Sequence, residues 1–287
     1  MELVILSGKG GTGKTTIATA ISELAKNVVK VDCDVDAPNL YLFYNGEDIK
    51  NRDFCGGKIA EINEDLCSSC GKCEKVCRFD AISNNKIIPY SCEGCGTCIL
   101  VCPNKAITLK EEKSADIYIT KTDKGIISRA KMDIGSEGSG KLIAELREDA
   151  KEYTKENTLT IIDGSPGIGC SVISSITGSD MALIVTEPTK SGLEDLKRVA
   201  DLCNHFRVKI NVCINKFDIN LDMTKQIEDY CRGKDIDIVG MIPFDDTVIK
   251  SINELKPIIY YDESKANLAI RDMWKKIHSK LVNSYKN

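Results

Sequence analysis

Three groups of residues in this sequence have types and spacings that do chemistry. The first is a glycine loop, Gly8-Lys9-Gly10-Gly11-Thr12-Gly13-Lys14-Thr15, which fits G-x4-G-K-[ST]. Glycines let successive backbone N–H groups converge on phosphate oxygens, Lys14 suits the β- and γ-phosphates, and the Thr15 hydroxyl can ligate Mg²⁺. Thr16 is placed to reach an α-phosphate. The second group is a set of aspartates: Asp32, Asp34 and Asp36 in one short run, and Asp163 in Leu159-Thr160-Ile161-Ile162-Asp163-Gly164-Ser165-Pro166-Gly167. Phosphoryl transfer asks little of a protein beyond positioning, Mg²⁺ and charge stabilisation, so a single carboxylate that orients the attacking water suffices. The third group is two cysteine runs, Cys67-Cys70-Cys73-Cys77 and Cys92-Cys95-Cys98-Cys102, both spaced C-x2-C-x2-C-x3-C. Thiolates so spaced suit iron–sulfur clusters, with tetrahedral zinc competing for the C-x2-C part.

These residues need a frame. Short apolar runs at Leu3 to Leu6, Val28 to Val31, Leu159 to Ile162, Met181 to Val185, Ile210 to Ile214 and Ile236 to Met241 read as buried strands. Helix-period stretches lie between most of them, at Lys14 to Lys26, Ser139 to Tyr153, Leu193 to Phe206 and Asp222 to Cys231. Strand alternating with helix predicts an α/β fold with a mostly parallel, doubly wound sheet and right-handed crossovers. Glu263 to Tyr285, with Leu268, Met273, Trp274, Ile277 and Leu281 near helical spacing, closes the domain as a helix. Lys275, Lys276 and Lys280 then form its solvated basic face rather than a membrane anchor. Alternation fails between Gly56 and Leu109, where no long helix or strand can be written. Within that stretch Cys67, Cys70, Cys73, Cys77, Ala81 and Ile82 recur as Cys92, Cys95, Cys98, Cys102, Ala106 and Ile107, each displaced by 25 residues, so two related half-modules are expected. Asp116 to Thr120 and Ile126 to Met132, broken by Asp123-Lys124-Gly125, read as a hairpin. The expected organisation is a main domain in two pieces, 1–55 and 112–287, around an inserted α+β module at 56–111.

The glycine loop, with its additional Lys9, resembles the deviant Walker A loop of the MinD, ParA and nitrogenase iron protein group. The resemblance implies a P-loop ATPase working as an ATP-sandwich homodimer, or a heterodimer with a paralogue, in which Lys9 reaches the partner's nucleotide. It casts Asp34 as the switch aspartate that orients water. Asp163 would hold Mg²⁺ through water, and Gly164 or Gly167 would let the backbone sense the γ-phosphate. Asp32 then reads as a strand-end residue or one that stands behind the metal's ligands, and Asp36 as a turn cap. Asn215-Lys216 resembles the position where an asparagine meets the base, which implies adenine, and Ile242-Pro243-Phe244-Asp245 flanks that base through its backbone. The implied nucleotide set is Gly8, Lys9, Gly10, Gly11, Thr12, Gly13, Lys14, Thr15, Thr16, Asn215, Lys216 and Pro243. Lys9, Lys14, Asp34 and Asp163 are the implied catalytic residues.

The cysteine runs resemble those of bacterial two-cluster ferredoxins. In that pattern the fourth thiolate of each run crosses to the other half, so one [4Fe-4S] cluster takes Cys67, Cys70, Cys73 and Cys102, and the other takes Cys92, Cys95, Cys98 and Cys77. Zinc gives no reason for the x3 extension or for Pro103. Arg78 departs from the pattern by standing where a proline commonly follows; it bears on the potential of the nearby cluster, not on ligation. The whole chain thus resembles MinD-superfamily ATPases with an inserted ferredoxin domain. The implied function is ATP hydrolysis coupled to electron transfer or to action on a redox or iron–sulfur protein partner. A cluster-assembly or carrier ATPase and a MinD-like or ParA-like spatial organiser with redox-sensing clusters are the alternatives.

Composition narrows this further. Its 43 acidic and 39 basic residues are interspersed, giving a net charge of -4 and no tail that suggests a nucleic-acid partner. No apolar run is long enough for a stable membrane insertion. With 14 cysteines and an N-terminus that runs straight into the glycine loop, a reducing cytoplasm is expected. Cys33, Cys203, Cys213 and Cys231 read as small core residues and Cys55 is unassigned. Cys170 has no C-x2-C partner for a bridging cluster, and His205 and His278 read as packing residues. Lys9→Ala should abolish ATP hydrolysis while sparing ATP binding; unchanged turnover would sink the role given to this lysine.

Overall fold

The computed structural model describes residues 1–136 and 138–284. The chain divides into two compact units, one of Met1–Asn51, Ile117–Lys131 and Gly138–Asn287, the other of Arg52–Asp116 and Met132–Glu137. Along the chain the elements are β1 (Glu2–Ser7), α1 (Lys14–Leu24), β2 (Val28–Asp32), β3 (Gly46–Ile62), α2 (Lys72–Val76), β4 (Ile82–Ser83), β5 (Lys86–Ile87), α3 (Thr97–Val101), β6 (Ile107–Thr122) and β7 (Gly125–Met132). They continue with α4 (Gly140–Lys151), β8 (Leu159–Pro166), α5 (Cys170–Ile176), β9 (Met181–Thr186), α6 (Lys190–His205), β10 (Lys209–Asn215), α7 (Leu221–Gly233), β11 (Asp237–Ile242), α8 (Thr247–Asn253) and α9 (Lys265–Ser284).

All six apolar runs read from the sequence are strands. Among the described residues they lie in a nine-stranded sheet of order β11-β10-β9-β1-β8-β2-β7-β6-β3. β1 pairs in parallel with β8 and β9, β10 with β9 and β11, and β2 with β8 and β7. Leu3 and Ile5 of β1 join Ile161, Leu183, Val185 and Cys213 in one core, against Ile17 and Ile21 of α1 and Ile270, Met273, Ile277 and Leu281 of α9. The alternate residues Val4, Leu6, Ile162, Ala182, Ile184 and Val212 are equally buried and project to the opposite face, as the period of two requires. There α4, α5 and α6 pack on the strands. Helices on both faces leave the strands buried twice over, which is why their sequences are continuous apolar runs.

Some elements differ from expectation. The interval 56–109 is not free of long strands, since β3 runs on to Ile62 and β6 starts at Ile107. Of the 17 residues of β3 only Phe54, Ile59 and Ala60 are buried, so neither an apolar run nor a period of two marks it. The second unit accordingly extends on both sides of 56–111. In α9 Leu268 is 57% exposed, whereas Ala266 and Ile270 face the core. Tyr285, to which the sequence extends that helix, lies outside the described residues. Among the described residues no helix is long and apolar enough to cross a membrane.

The second unit has a small core of Ala60, Cys73, Ile82, Cys98 and Ile107, edged by Cys77, Cys92 and Cys102. Its 25-residue repeat is conformational as well as chemical. Gly71 and Gly96 sit before α2 and α3 at φ 67° and 76°, and Asp80 and Lys105 both have φ 51°. β4 and β5 form an antiparallel hairpin whose turn residues, Asn84 and Asn85, are both left-handed, as a tight hairpin turn demands.

The hairpin of β6 and β7 is fixed at its turn. Gly125 has φ 99°, and a Cβ there would lie 2.1 Å from the Val28 carbonyl oxygen. Beside it, fully buried Lys30 of β2 donates to the Lys124 carbonyl at 2.6 Å and lies 4.5 Å from the centre of the Tyr44 ring. Burial lowers its pKa to about 8, against the pull of Glu23 and Asp123. An unfolded chain keeps the ordinary 10.5 and so binds more protons than the fold between about 8 and 10.5. Lys30 therefore makes stability rise as pH climbs through that window. Lys30→Met should remove about 1–2 kcal/mol of that rise. Urea unfolding of both proteins at pH 7.5 and pH 10 checks this, and parallel pH profiles would count against it.

Candidate functional site

The strands paired in parallel, from β11 across to β7, share one carboxyl edge, and the glycine loop leaves that edge at the end of β1. Between β1 and α1 the chain turns through Gly11 and Gly13, both with positive φ. A Cβ on Gly13 would also sit 2.6 Å from the Asn215 side-chain nitrogen, so this position needs glycine twice over. The loop brings Lys14 and Thr15 to the start of α1. Lys14 lies 3.5 Å from Asp34, and its side chain is 4% exposed. Thr15 Oγ1 donates to Asp163 Oδ2 at 2.7 Å.

Asp163 is fully buried, and its other oxygen, Oδ1, has no hydrogen-bond partner among the described residues. An orphaned carboxylate oxygen beside a threonine hydroxyl is a donor set that fits Mg²⁺ or one of its waters. Burial raises the Asp163 pKa to about 6, with Lys14 and Thr15 opposing. Asp32 is likewise raised by burial and by nearby Asp163, and it accepts the N–H groups of Asp34 and Leu40. Burial also raises Asp34, while Lys14 holds it back. Asp36 stands apart and accepts the Gly138 N–H at 3.0 Å, a tether to a segment 102 residues away rather than a cap on its own turn.

Of the other residues that the resemblance implies for the nucleotide, Gly11, Gly13, Thr16, Asn215, Lys216 and Pro243 line one cavity together with Ile242, Phe244 and Asp245, whereas Gly8, Lys9, Gly10 and Thr12 do not line it. Asn215 donates to the Thr12 carbonyl at 2.8 Å. Lys216, at φ 54°, donates to Glu187 at 2.6 Å, and Lys9 lies 3.4 Å from the other oxygen of the same carboxylate. Glu187 follows β9 and escaped the sequence reading. A carboxylate directly after a buried apolar strand, as in Asp32 and Asp163, was the available signal. Gly164 lies inside β8, where a Cβ would meet Leu6 and the Ile5 carbonyl, so packing against β1 explains it. Gly167 has φ 95° and donates to the Ser7 carbonyl. Cys33, Cys203, Cys213 and Cys231 are core residues; Cys170 is exposed.

In the second unit the eight cysteines line two cavities, and neither run stays together. One cavity is lined by Cys67, Cys70, Cys73 and Cys102, the other by Cys92, Cys95, Cys98 and Cys77. None of the eight is in a disulfide. The Ala81 and Ala106 N–H groups donate to the sulfurs of Cys77 and Cys102, each at 3.3 Å, and the Ala60 N–H donates to Cys92. Among the described residues no group of three or more Cys, His, Asp or Glu side chains could hold a metal ion.

A parallel sheet with this loop at the end of its first strand defines a P-loop ATPase. The model of the CobQ/CobB/MinD/ParA nucleotide-binding domain matches residues 3–258, and the chain belongs to that family. It is similar to an uncharacterized protein of Methanocaldococcus jannaschii, 39% identical over 280 residues that cover 96% of each chain. It is also similar to the septum site-determining protein MinD of Bacillus subtilis, 25% identical over 285 residues, 96% of this chain and 88% of that one. Among solved structures it resembles the MinD of Pyrococcus horikoshii complexed with Mg-ADP, with a TM-score of 0.61 at 20% identity, covering 96% of this chain and 95% of that one.

Asp163→Asn should abolish hydrolysis yet raise the thermal midpoint of the nucleotide-free protein by about 2–4 °C, because it removes a buried charge and keeps an acceptor for Thr15. Calorimetry alongside a phosphate-release assay checks both arms; a lower midpoint would show that the buried carboxylate is not a cost to the fold.

Proposed function

We propose that this chain is an iron–sulfur ATPase, one that hydrolyses ATP as a nucleotide-dependent dimer and couples its nucleotide state to electron transfer through two [4Fe-4S] clusters. The observation that supports this most is the sorting of eight cysteines into two cavities as three plus one, with Cys77 and Cys102 exchanged between the runs. A single ion asks its ligands to converge on one point. A cubane asks four thiolates to stand around it, one to each iron, which the four cysteines lining each cavity could supply. Backbone N–H groups are aimed at the sulfurs of Cys77, Cys92 and Cys102, the kind of hydrogen bond that cluster-ligating sulfur accepts. A core this rich in cysteine, in a unit this small and without disulfides, also wants a metal to complete it. When bound, such clusters supply one-electron transfer at potentials set by hydrogen bonds to sulfur and by exposure.

In the ATPase unit, Lys14 leaves Asp34 for the β- and γ-phosphates of ATP, and the freed carboxylate orients the attacking water. Thr15 would ligate Mg²⁺, and Asp163 would hold it through water. Asn215, Lys216 and Pro243 border adenine, and Lys9 serves the nucleotide of a second copy or of a paralogue. The module at 56–111 serves a redox or iron–sulfur protein partner. Eight unpaired cysteines fit a reducing cytoplasm, and neither nucleic-acid binding nor stable membrane insertion is expected.

Purified anaerobically, the protein should carry about eight iron and eight sulfide per chain. Fewer than about four iron, or stoichiometric zinc, would contradict the cluster assignment. Its EPR spectrum when reduced should change on adding MgATP; identical spectra would leave the clusters intact and refute the coupling.

A further inference from the structure

We infer that Asp218 is a positioning residue that sets the choice of base, making the nucleotide site favour adenine over guanine by occupying a backbone donor. The inference rests on the reading that the Ile242–Asp245 stretch borders the base. Two residues of that wall have lost their N–H groups. Pro243 has none to offer. The Phe244 N–H is held by Asp218 Oδ1 at 2.7 Å, from an exposed side chain on the turn after β10. Other polar groups on this side are engaged as well. Asn215 donates to Thr12, Lys216 to Glu187, and the Lys216 N–H is taken by Asn215 Oδ1. Asp245 accepts from Ser264 and from the N–H groups of Thr247 and Ala266, at the starts of α8 and α9, which keeps its carboxylate out of the cavity chemistry.

Successive residues 243 and 244 therefore offer a base only carbonyl oxygens. Adenine presents its N6 amino group, a donor, where guanine presents O6, an acceptor. A wall of acceptors accommodates the first and leaves the second facing like polarity with no hydrogen bond, which is where polar sites discriminate most. The same carboxylate, were it turned to the base, would accept two N–H groups of guanine and reverse the preference. Its engagement with Phe244 decides between the two. Lys216, left-handed at φ 54°, begins the Lys216-Phe217-Asp218 turn that aims it there.

The test compares ATP and GTP binding, with Mg²⁺, to the full chain and to Asp218→Ala and Asp218→Asn. Asp218→Ala frees the Phe244 N–H for O6 and should lower the ATP-over-GTP preference about tenfold. Asp218→Asn keeps an oxygen that accepts from Phe244 and should retain the wild-type preference, an outcome that a loss of local order does not produce. Equal weakening of both nucleotides in Asp218→Ala, or an Asp218→Asn as permissive as the alanine variant, would overturn the inference while leaving the ATPase reading intact. A wild-type chain that prefers GTP overturns it too, and one that binds neither nucleotide removes the nucleotide reading along with it.

Discussion

A carboxylate with no access to water governs the carboxyl end of this sheet. Asp163 is buried inside β8, and the groups that keep it company set the surrounding chain path. Thr15 satisfies one oxygen and thereby fixes the first turn of α1 against β8. Lys14, one residue earlier, brings its charge toward the same place and pairs with Asp34. Ser165, two residues beyond Asp163, donates to the Cys33 carbonyl and ties down the aspartate run that follows β2. The glycine loop has little freedom left once these ends are placed. Its left-handed glycines are the conformation that lets helix and strand meet at that spacing. Such a site is poised because it is unsatisfied: Asp163 keeps one oxygen without a partner among the described residues, and Asp32 is held protonation-prone beside it.

The cysteine unit follows a related logic in softer material. Its core mixes sulfur with branched side chains, Cys73 and Cys98 sharing it with Ile82 and Ile107. The repeat keeps the cysteines, the left-handed residues ahead of each short helix, and the alanine whose N–H meets the fourth sulfur. What it does not keep is surface. Lys72, Glu74 and Lys75 of α2 correspond to Thr97, Ile99 and Leu100 of α3, and Leu100 is 86% exposed. The two halves share one inner geometry and have separate outer faces.

The buried strands were legible because burial on both faces writes a continuous apolar run, and the loops at their ends were legible because glycine and aspartate punctuate them. β3 was not, because its residues are mostly exposed and carry no period. The short helices α5 and α8 escaped for a similar reason, being too brief to show a stripe. Leu268 misled because spacing on a helix reports a face and not which way the face turns. At the site, residues inside motifs were found and their tethers were not. Glu187 had only its place after an apolar run to mark it and Asp218 had no pattern at all, and the fold places one between two lysines and the other against a backbone N–H.

Glu187 shows what such a tether can do. It holds two cations, Lys216 at 2.6 Å and Lys9 at 3.4 Å, with the Lys9 side chain 36% exposed. A half-exposed ion pair is worth at most about 1 kcal/mol, so Lys9 is held loosely against the attraction of a triphosphate. Lys216 is the more important partner, because it stays behind. A carboxylate left alone in a partly buried position would oppose the departure of its last cation, whereas one already paired does not. The second lysine therefore lowers the cost of moving the first. In the proposed dimer this makes Lys9 a residue that its own chain can release, and it places the control of that release just after β9, on the carboxylate that Lys9 shares with Lys216.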